Sequence, residues 1–332
     1  MLKRIGVLTS GGDSPGMNPA IRSITRSAVH REVEVVGIRN GYQGIFDKEF
    51  VPLGILEVSG KIRDAGTFLG TSRCKKFRSK EGVQEAIDIL HSEKIEALIV
   101  IGGDGSLSGA RDMHELKYPV MGLPGTIDND LYGTDMAIGV DTCLNTIISL
   151  VDMTKATAAS HKRCFVTEVM GRGSGYLALM STISTGSQVA VIPEYRVNMP
   201  SILEAMESRV MRKHNNAVII IAEGVCSGQE FLDKMDQAGE DRLRLETRLT
   251  VLGHVQRGAS PTHFDRLLAS RMGEMAVLGL LHGESGCMIS LVQGKMQIRD
   301  FNEILGRKKS LPADAVRLAR NIGIEIGEAV ET

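Results

Sequence analysis

The chain has 332 residues, 42% of them hydrophobic and 24% charged, and a formal net charge of -1. That balance is the globular average, which excludes a disordered chain and any global basic field for nucleic acid, so an anion site has to be built locally. The length suffices for two domains with separate cores, and no apolar run approaches the roughly 20 residues of a membrane span.

Five cysteines, Cys74, Cys143, Cys164, Cys226 and Cys287, are odd in number and contain no C-x-x-C pair, so reduced thiols are expected rather than disulfides or zinc ligands. The apolar run after Lys3 and Arg4 is too short for a secretory leader, and the cytoplasm is the expected location.

Residues 5–9 predict a buried strand that enters Ser10-Gly11-Gly12-Asp13-Ser14-Pro15-Gly16, followed by a helix marked by Ala20, Ile21, Ile24 and Ala28. Strand, glycine-rich turn and helix N-terminus together let backbone N–H groups approach a phosphate. The turn is not G-x-G-x-x-G, and the same glycines would also serve plain chain reversal. Arg22 and Arg26 share one face of that helix, as a solvated stripe would. A strand at 33–39 follows, then a loop holding Tyr42. Residues 66–78 gather Arg73, Lys75, Lys76 and Arg78 in a glycine-punctuated loop. Such a loop either clamps polyphosphate through bidentate guanidinium contacts or lies solvated on the surface. Val83, Ala86, Ile87 and Leu90 keep helical spacing.

Residues 97–101, Ala-Leu-Ile-Val-Ile, predict a parallel strand buried on both faces, 106–116 a helix, and 120–123 a second strand stopped by Pro124 and Gly125. In a strand-helix-strand crossover both strands run parallel, so their loops leave the same carboxyl edge, where open α/β sheets bind ligands. Asp104, Thr126, Asp128 and Asp130 are therefore expected to converge.

Further along, a helix is expected at 141–160 and a strand at 164–169, which runs into Met170-Gly171-Arg172-Gly173-Ser174-Gly175-Tyr176, a second glycine-rich turn. Strands are expected at 189–193, 217–223 and 250–255, helices at 202–212, 231–238 and 261–281, a hairpin pairing 287–292 with 295–298 about Gly294, and a last helix at 313–328. Glu223, His254 and Arg257 fall at predicted strand ends. The alternation means an α/β fold with a mostly parallel sheet.

Six motifs now stand in order: Ser10-Gly-Gly-Asp-Ser-Pro-Gly-Met-Asn18, Gly66-Thr-Phe-Leu-Gly70, Gly102-Gly-Asp-Gly-Ser106, Pro124-Gly-Thr-Ile-Asp-Asn-Asp130, Glu168-Val-Met-Gly-Arg172 and Leu252-Gly-His-Val-Gln-Arg-Gly258. Gly-Gly-Asp-Gly by itself is shared with NAD kinases and diacylglycerol kinases. Together the six resemble the bacterial 6-phosphofructokinase family over essentially the whole chain.

The resemblance implies two Rossmann-like domains with helices on both sheet faces and the active site in the cleft between them. The larger, ATP-binding domain would span 1–139 plus 256–303, and the smaller, fructose-6-phosphate-binding domain 140–255 plus 304–332. It further implies phosphorylation of fructose 6-phosphate by Mg-ATP, with Asp128 as general base, Thr126 and Asp130 beside it, and Asp104 serving Mg²⁺. Gly12, Tyr42, Arg73, Cys74, Gly103, Asp104, Gly105 and Ser106 would form the nucleotide site, with Arg73 and Arg172 stabilising the transferring phosphoryl group. The sugar phosphate would meet Thr126, Asp128, Asp130, Met170, Gly171, Arg172, Glu223, His254 and Arg257, with Arg163 and Arg248 from a neighbouring subunit of a homotetramer.

In pyrophosphate-dependent relatives an Asp and a Lys stand where this chain has Gly105 and Gly125, so ATP is the expected donor. The cationic set Arg163, Arg172, Arg248, His254 and Arg257 favours a sugar phosphate over the substrate of a NAD kinase, and the presence of Asp104 and Asp128 argues against an inactive regulatory subunit. The family's pocket for ADP and phosphoenolpyruvate matches less well. Arg22 and Arg26 are present, and Lys155 and Arg212 keep positive charge, but Ile55 and Gly60 replace an Arg and an Asp. Gln188 replaces a Glu, and His214 and Asn216 replace a Lys and a His, so a weakened or altered allosteric response is expected.

Overall fold

A computed structural model describes residues 2–161, 163–211, 217–239 and 246–329. In chain order the first elements are β1 (Arg4–Ser10), α1 (Met17–Val29), β2 (Glu34–Ile38), α2 (Gln43–Phe46), β3 (Phe50–Leu53), α3 (Lys80–Ser92), β4 (Ala97–Gly102), α4 (Asp104–Glu115), β5 (Val120–Pro124) and α5 (Val140–His161). Next come β6 (Arg163–Val169), α6 (Tyr176–Thr185), β7 (Val189–Val191), β8 (Tyr195–Arg196), α7 (Met199–Met211), β9 (Ala217–Ala222), α8 (Gly228–Gly239) and β10 (Glu246–Val251). The last are α9 (His263–Leu281), β11 (Cys287–Val292), β12 (Lys295–Asp300), α10 (Phe301–Ile304), α11 (Ala313–Asn321) and β13 (Glu328–Ala329).

The chain forms two units, a larger one of Met1–Ile127, Leu131–Thr142 and Arg257–Lys309, and a smaller one of Asp128–Asp130, Cys143–Gln256 and Ser310–Thr332. The larger unit holds a seven-stranded sheet ordered β12-β11-β5-β4-β1-β2-β3, whose interior pairs are parallel. Period-2 alternation explains why its strands read as unbroken apolar runs. Ile5, Val7, Ile99 and Ile101 face one core with Ile21 and Ile24 of α1 and Leu268 and Met272 of α9. Leu8, Leu98 and Val100 face the other, with Val83, Ile87 and Leu90 of α3 and Leu107 and Met113 of α4.

The hairpin of β11 and β12 is antiparallel and joins the sheet through β5. At the opposite edge β3, unforeseen from the sequence, pairs antiparallel with β2 and places Pro52 opposite Val36. A proline is tolerated there because an edge strand has one unpaired side.

The smaller unit has a parallel sheet ordered β10-β6-β9-β7. Val166, Ile219 and Ile221 pack on Ile202 and Met206 of α7 and on Phe231 and Met235 of α8.

Two expected elements differ. The strand expected at 250–255 is β10, which ends at Val251, where its ladder with β6 closes opposite Glu168; residues 253–257 form a short 3₁₀ turn instead. His254 and Arg257 therefore lie on that turn rather than at a strand end. The helix expected at 313–328 stops at Asn321, where Gly323 takes φ +79 and Ile324 N–H returns to the Ala319 carbonyl. A left-handed glycine closes the helix, and Glu325 then pairs with Val189 at the sheet edge.

Candidate active site

In the larger unit the chain builds outward from β1 through β2 to one side and through β4 to β5 on the other, with α1 on one face and α3 and α4 on the opposite face. The crossovers thus part at the carboxyl ends of β1 and β4, leaving a crevice where an open α/β sheet takes its ligand. That crevice is bordered by Gly11, Gly12 and Asp13 after β1 and by Gly103, Asp104 and Gly105 after β4.

The neighbouring loop after β5 is locked in register. Ile101 pairs with Leu123 and Gly102 with Pro124, and the Gly125 N–H donates to the Gly102 carbonyl at 3.0 Å. A Cβ placed on Gly103 would lie 3.7 Å from Thr126 Cβ, so the two loops meet at the shared edge expected from the crossover geometry.

Asp104 and Gly105 are exposed in the first turn of α4, whereas Ser106 is buried. Tyr42 is 5% exposed, stacks on Phe77 at 3.8 Å and donates its hydroxyl to the Ser106 carbonyl at 2.6 Å. Burial pushes its phenol well above the ordinary value, with Asp112 adding to the effect, so Tyr42 stays a neutral donor and acts on the crevice by holding α4 from below.

The loop containing residues 66–70 is pinned by buried Asn18, which donates to the Asp64 and Ala65 carbonyls and accepts the Phe68 N–H. Thr9 adds bonds to Thr67 and to the Gly70 carbonyl. Beyond it Arg73 is exposed and Cys74 is half-buried against the second core. Arg257 is 18% exposed at its side chain and pairs with Asp13, with Nη1 3.5 Å from the carboxylate and 3.3 Å from the backbone carbonyl. A Cβ on Gly12 would overlap that guanidinium, so any side chain there would displace the Arg257 head from this position.

Two glycines of the crevice differ. A Cβ on Gly105 meets nothing within 4 Å, whereas one on Gly125 would sit 3.0 Å from Ile101 Cγ2 and 3.2 Å from Met17 Cε. At 125 a side chain would require Ile101 and Met17 to give way; at 105 no described residue outside the helix's own backbone stands in the way.

In the smaller unit Asp128 and Asp130 are half-buried, and Asn129 between them is buried with φ +50. Beyond β6, Met170 is half-buried, Gly171 takes φ +136 and exposed Arg172 takes φ +56. The Arg172 N–H donates to Glu223 Oε1 at 2.9 Å, and Glu223 follows β9. His254 is exposed on the 253–257 turn.

Arg163 and Arg248 lie elsewhere: Arg163 opens β6, six residues before Val169, or about 20 Å from the strand's carboxyl end at 3.3 Å per residue. Both arginines pair with Glu246, Arg163 at 2.6 Å, and the Arg163 hydrogen bond is the main cause lowering the Glu246 carboxyl.

Of the residues expected in an effector pocket, Arg22 and Arg26 line a groove of about 930 Å³ with Ile55 and Arg271. Gly60 is exposed with open space at its Cβ position. Lys155 donates to the Thr185 carbonyl, and the Gln188 amide donates to the Gly186 carbonyl and accepts the Val218 N–H. A carboxylate at 188 would lack the donor for Gly186. Arg212, His214 and Asn216 lie outside the described residues.

Residues 4–280 match the family model described as Phosphofructokinase. An "ATP-dependent 6-phosphofructokinase" of Halalkalibacterium halodurans is 46% identical over 323 residues, 97% of this chain and 100% of the relative. One of Thermotoga neapolitana is 46% identical over 319 residues, 96% and 99% of the two chains. A solved phosphofructokinase of Saccharomyces cerevisiae superposes with TM-score 0.84 at 34% identity, covering 96% of this chain, which spans 46% of the yeast chain. A pyrophosphate-dependent phosphofructokinase of Marinobacter aquaeolei shares the fold at TM-score 0.85 and 21% identity, over 98% of this chain and 88% of the other.

Proposed function

The chain belongs to the phosphofructokinase family, and on that premise we propose that it transfers the γ-phosphoryl group of ATP to fructose 6-phosphate, giving fructose 1,6-bisphosphate. The observation that carries the choice of donor is Gly105. A glycine in the first turn of a helix is unfavourable by propensity, and with open space around its Cβ position no packing explains it; room for a nucleotide does.

The sugar hydroxyl must lose a proton as it attacks phosphorus, and Asp128 accepts it, with Thr126 and Asp130 orienting the group. Gly12, Gly103 and Ser106 bring backbone close to the nucleotide, supported from below by Tyr42, while Arg73, beside Cys74, and Arg172 stabilise the charge that develops on the transferring group. Met170, Gly171, Glu223, His254 and Arg257 receive the sugar phosphate. For that role Arg257 exchanges its Asp13 partner for phosphate oxygens.

Mg²⁺ takes one or two carboxylates and completes its shell with water and phosphate oxygens, so exposed Asp104 between bare glycines suits it. When bound with the nucleotide it neutralises phosphate charge. Among the described residues no cluster of three or more His, Cys, Asp or Glu could hold a metal by itself, which fits a metal that arrives with its phosphates.

The remote position of Arg163 and Arg248 supports their delivery to the sugar phosphate of a neighbouring subunit in a homotetramer. In this reading residues 1–139 plus 256–303 form the larger domain that carries the nucleotide site, and 140–255 plus 304–332 the smaller domain that carries Met170, Gly171, Glu223 and His254 for the sugar. The enzyme works in the cytoplasm; among the described residues no helix is long and apolar enough to cross a membrane.

The test is a coupled assay with fructose 6-phosphate and either ATP or pyrophosphate, on wild type and Asp128→Ser. Loss of the base should lower kcat by roughly 10²-fold or more and leave both KM values within a few-fold. Turnover with pyrophosphate but not ATP would refute the donor, and near-normal turnover by the variant would refute the base.

A further inference from the structure

Gln256 is fully buried, yet it belongs to none of the groups placed at the ligand. Both ends of its amide are committed to backbone: Oε1 accepts the Met170 N–H at 3.3 Å and Nε2 donates to the Gly253 carbonyl at 2.8 Å. The partners fix the amide's orientation, since only the oxygen can face an N–H and only the NH₂ can face a carbonyl.

Those partners open two different loops. Met170 begins the turn of Gly171 and Arg172 beyond β6, and Gly253 begins the turn carrying His254 beyond β10. The parallel ladder between the two strands ends at Val251 opposite Glu168, with one further bond from the Leu252 N–H to the Glu168 carbonyl at 3.1 Å. Past that point the strands no longer pair, and both loops hold left-handed backbone angles, φ +136 at Gly171, +56 at Arg172 and +53 at Gly253. The Gln256 side chain bridges the gap where the ladder has stopped.

Resting on the reading that Met170, Gly171 and His254 receive the sugar phosphate, we propose that Gln256 is a positioning residue for that substrate, setting the spacing of the two turns without touching the ligand. The residue type follows from the bonds. Glutamate lacks the donor for Gly253, asparagine is one methylene short, and an apolar side chain leaves the half-buried Met170 N–H and Gly253 carbonyl without this partner.

The test compares wild type, Gln256→Met and Gln256→Glu as full chains, varying fructose 6-phosphate and ATP separately and recording thermal unfolding. Methionine keeps the volume and removes both bonds; glutamate keeps the acceptor for Met170 and removes the donor. Gln256→Met should raise the KM for fructose 6-phosphate roughly 10-fold or more while the KM for ATP stays within about twofold, and Gln256→Glu should raise it too, since a carboxylate oxygen there faces the Gly253 carbonyl. An unchanged KM for fructose 6-phosphate in either folded variant overturns the inference, as does a parallel rise in both KM values, which would mark general loosening. Wild type that cannot phosphorylate fructose 6-phosphate overturns the functional reading and this inference with it; wild-type turnover with an unaffected variant overturns the inference alone.

Discussion

Gly105→Asp separates ligand space from protein packing. Position 105 is the second residue of α4, and beyond its chain neighbours and its own helix backbone no atom of the described residues lies within 4 Å of an added Cβ. In the free protein the change should therefore stabilise. Removing a helical glycine gains about 0.5 kcal/mol, and a carboxylate in the first turn gains about 0.3–1 kcal/mol from the helix dipole, less some repulsion from Asp104. A net gain near 1 kcal/mol raises Tm by roughly 2–4 °C for a unit of this size.

Against ATP the same carboxylate is unfavourable. A negative charge about 5 Å from a phosphate oxygen, at an effective dielectric between 20 and 80, repels by about 1–3 kcal/mol. That corresponds to a KM for ATP raised roughly 5- to 150-fold. Thermal unfolding of the ligand-free protein and a coupled assay at saturating fructose 6-phosphate read the two halves separately. A variant of unchanged or higher Tm with an unchanged KM for ATP would refute the placement of nucleotide against Gly105. A Tm lowered by several degrees would refute the reasoning about empty space.

Gly125→Lys should behave differently, since its Cβ runs into Ile101 and Met17; overpacking of that kind costs about 1–3 kcal/mol, so Tm falls before any effect on donor choice is read. A variant as stable as wild type would show that the strand end relaxes freely. Asp265 supplies a pH-dependent prediction. Burial pushes its carboxyl up to about 6, although it accepts bonds from the Gly139 and Thr142 N–H groups and the Thr142 hydroxyl. A carboxyl raised in the folded state contributes stability that is present below the unfolded pKa near 4 and lost as pH rises through about 6, in total about 3 kcal/mol. Asp265→Asn removes that component, so urea unfolding at pH 4.5, 5.5 and 7 should show the variant gaining on wild type as pH rises. A pH-independent difference would mean that the aspartate is ionised throughout.

Much of this architecture was legible along the chain because parallel strands buried on both faces leave a one-dimensional trace. The 97–101 run, its glycine stop and the 120–123 run were enough to place Asp104 and Thr126 at one edge, since a strand-helix-strand crossover admits one polarity. The two misread ends have different causes. Residues 250–255 look like a strand throughout, but the ladder closes where β6 turns away, and the helix expected to 328 stops where Gly323 closes it and Glu325 finds the edge of β7.

By itself the sequence determined the α/β class, the glycine-rich turns, the carboxyl-edge loops and the motifs that align with the phosphofructokinases, all of them local in the chain or periodic in it. The tertiary structure decided what depends on partners distant in sequence. It sets Arg257 on Asp13, Tyr42 beneath Ser106, Arg163 and Arg248 together on Glu246, and Gln256 between two turns. It also separates Gly105 from Gly125, identical as letters, because one Cβ position opens into free space and the other into the packed side chains of Ile101 and Met17.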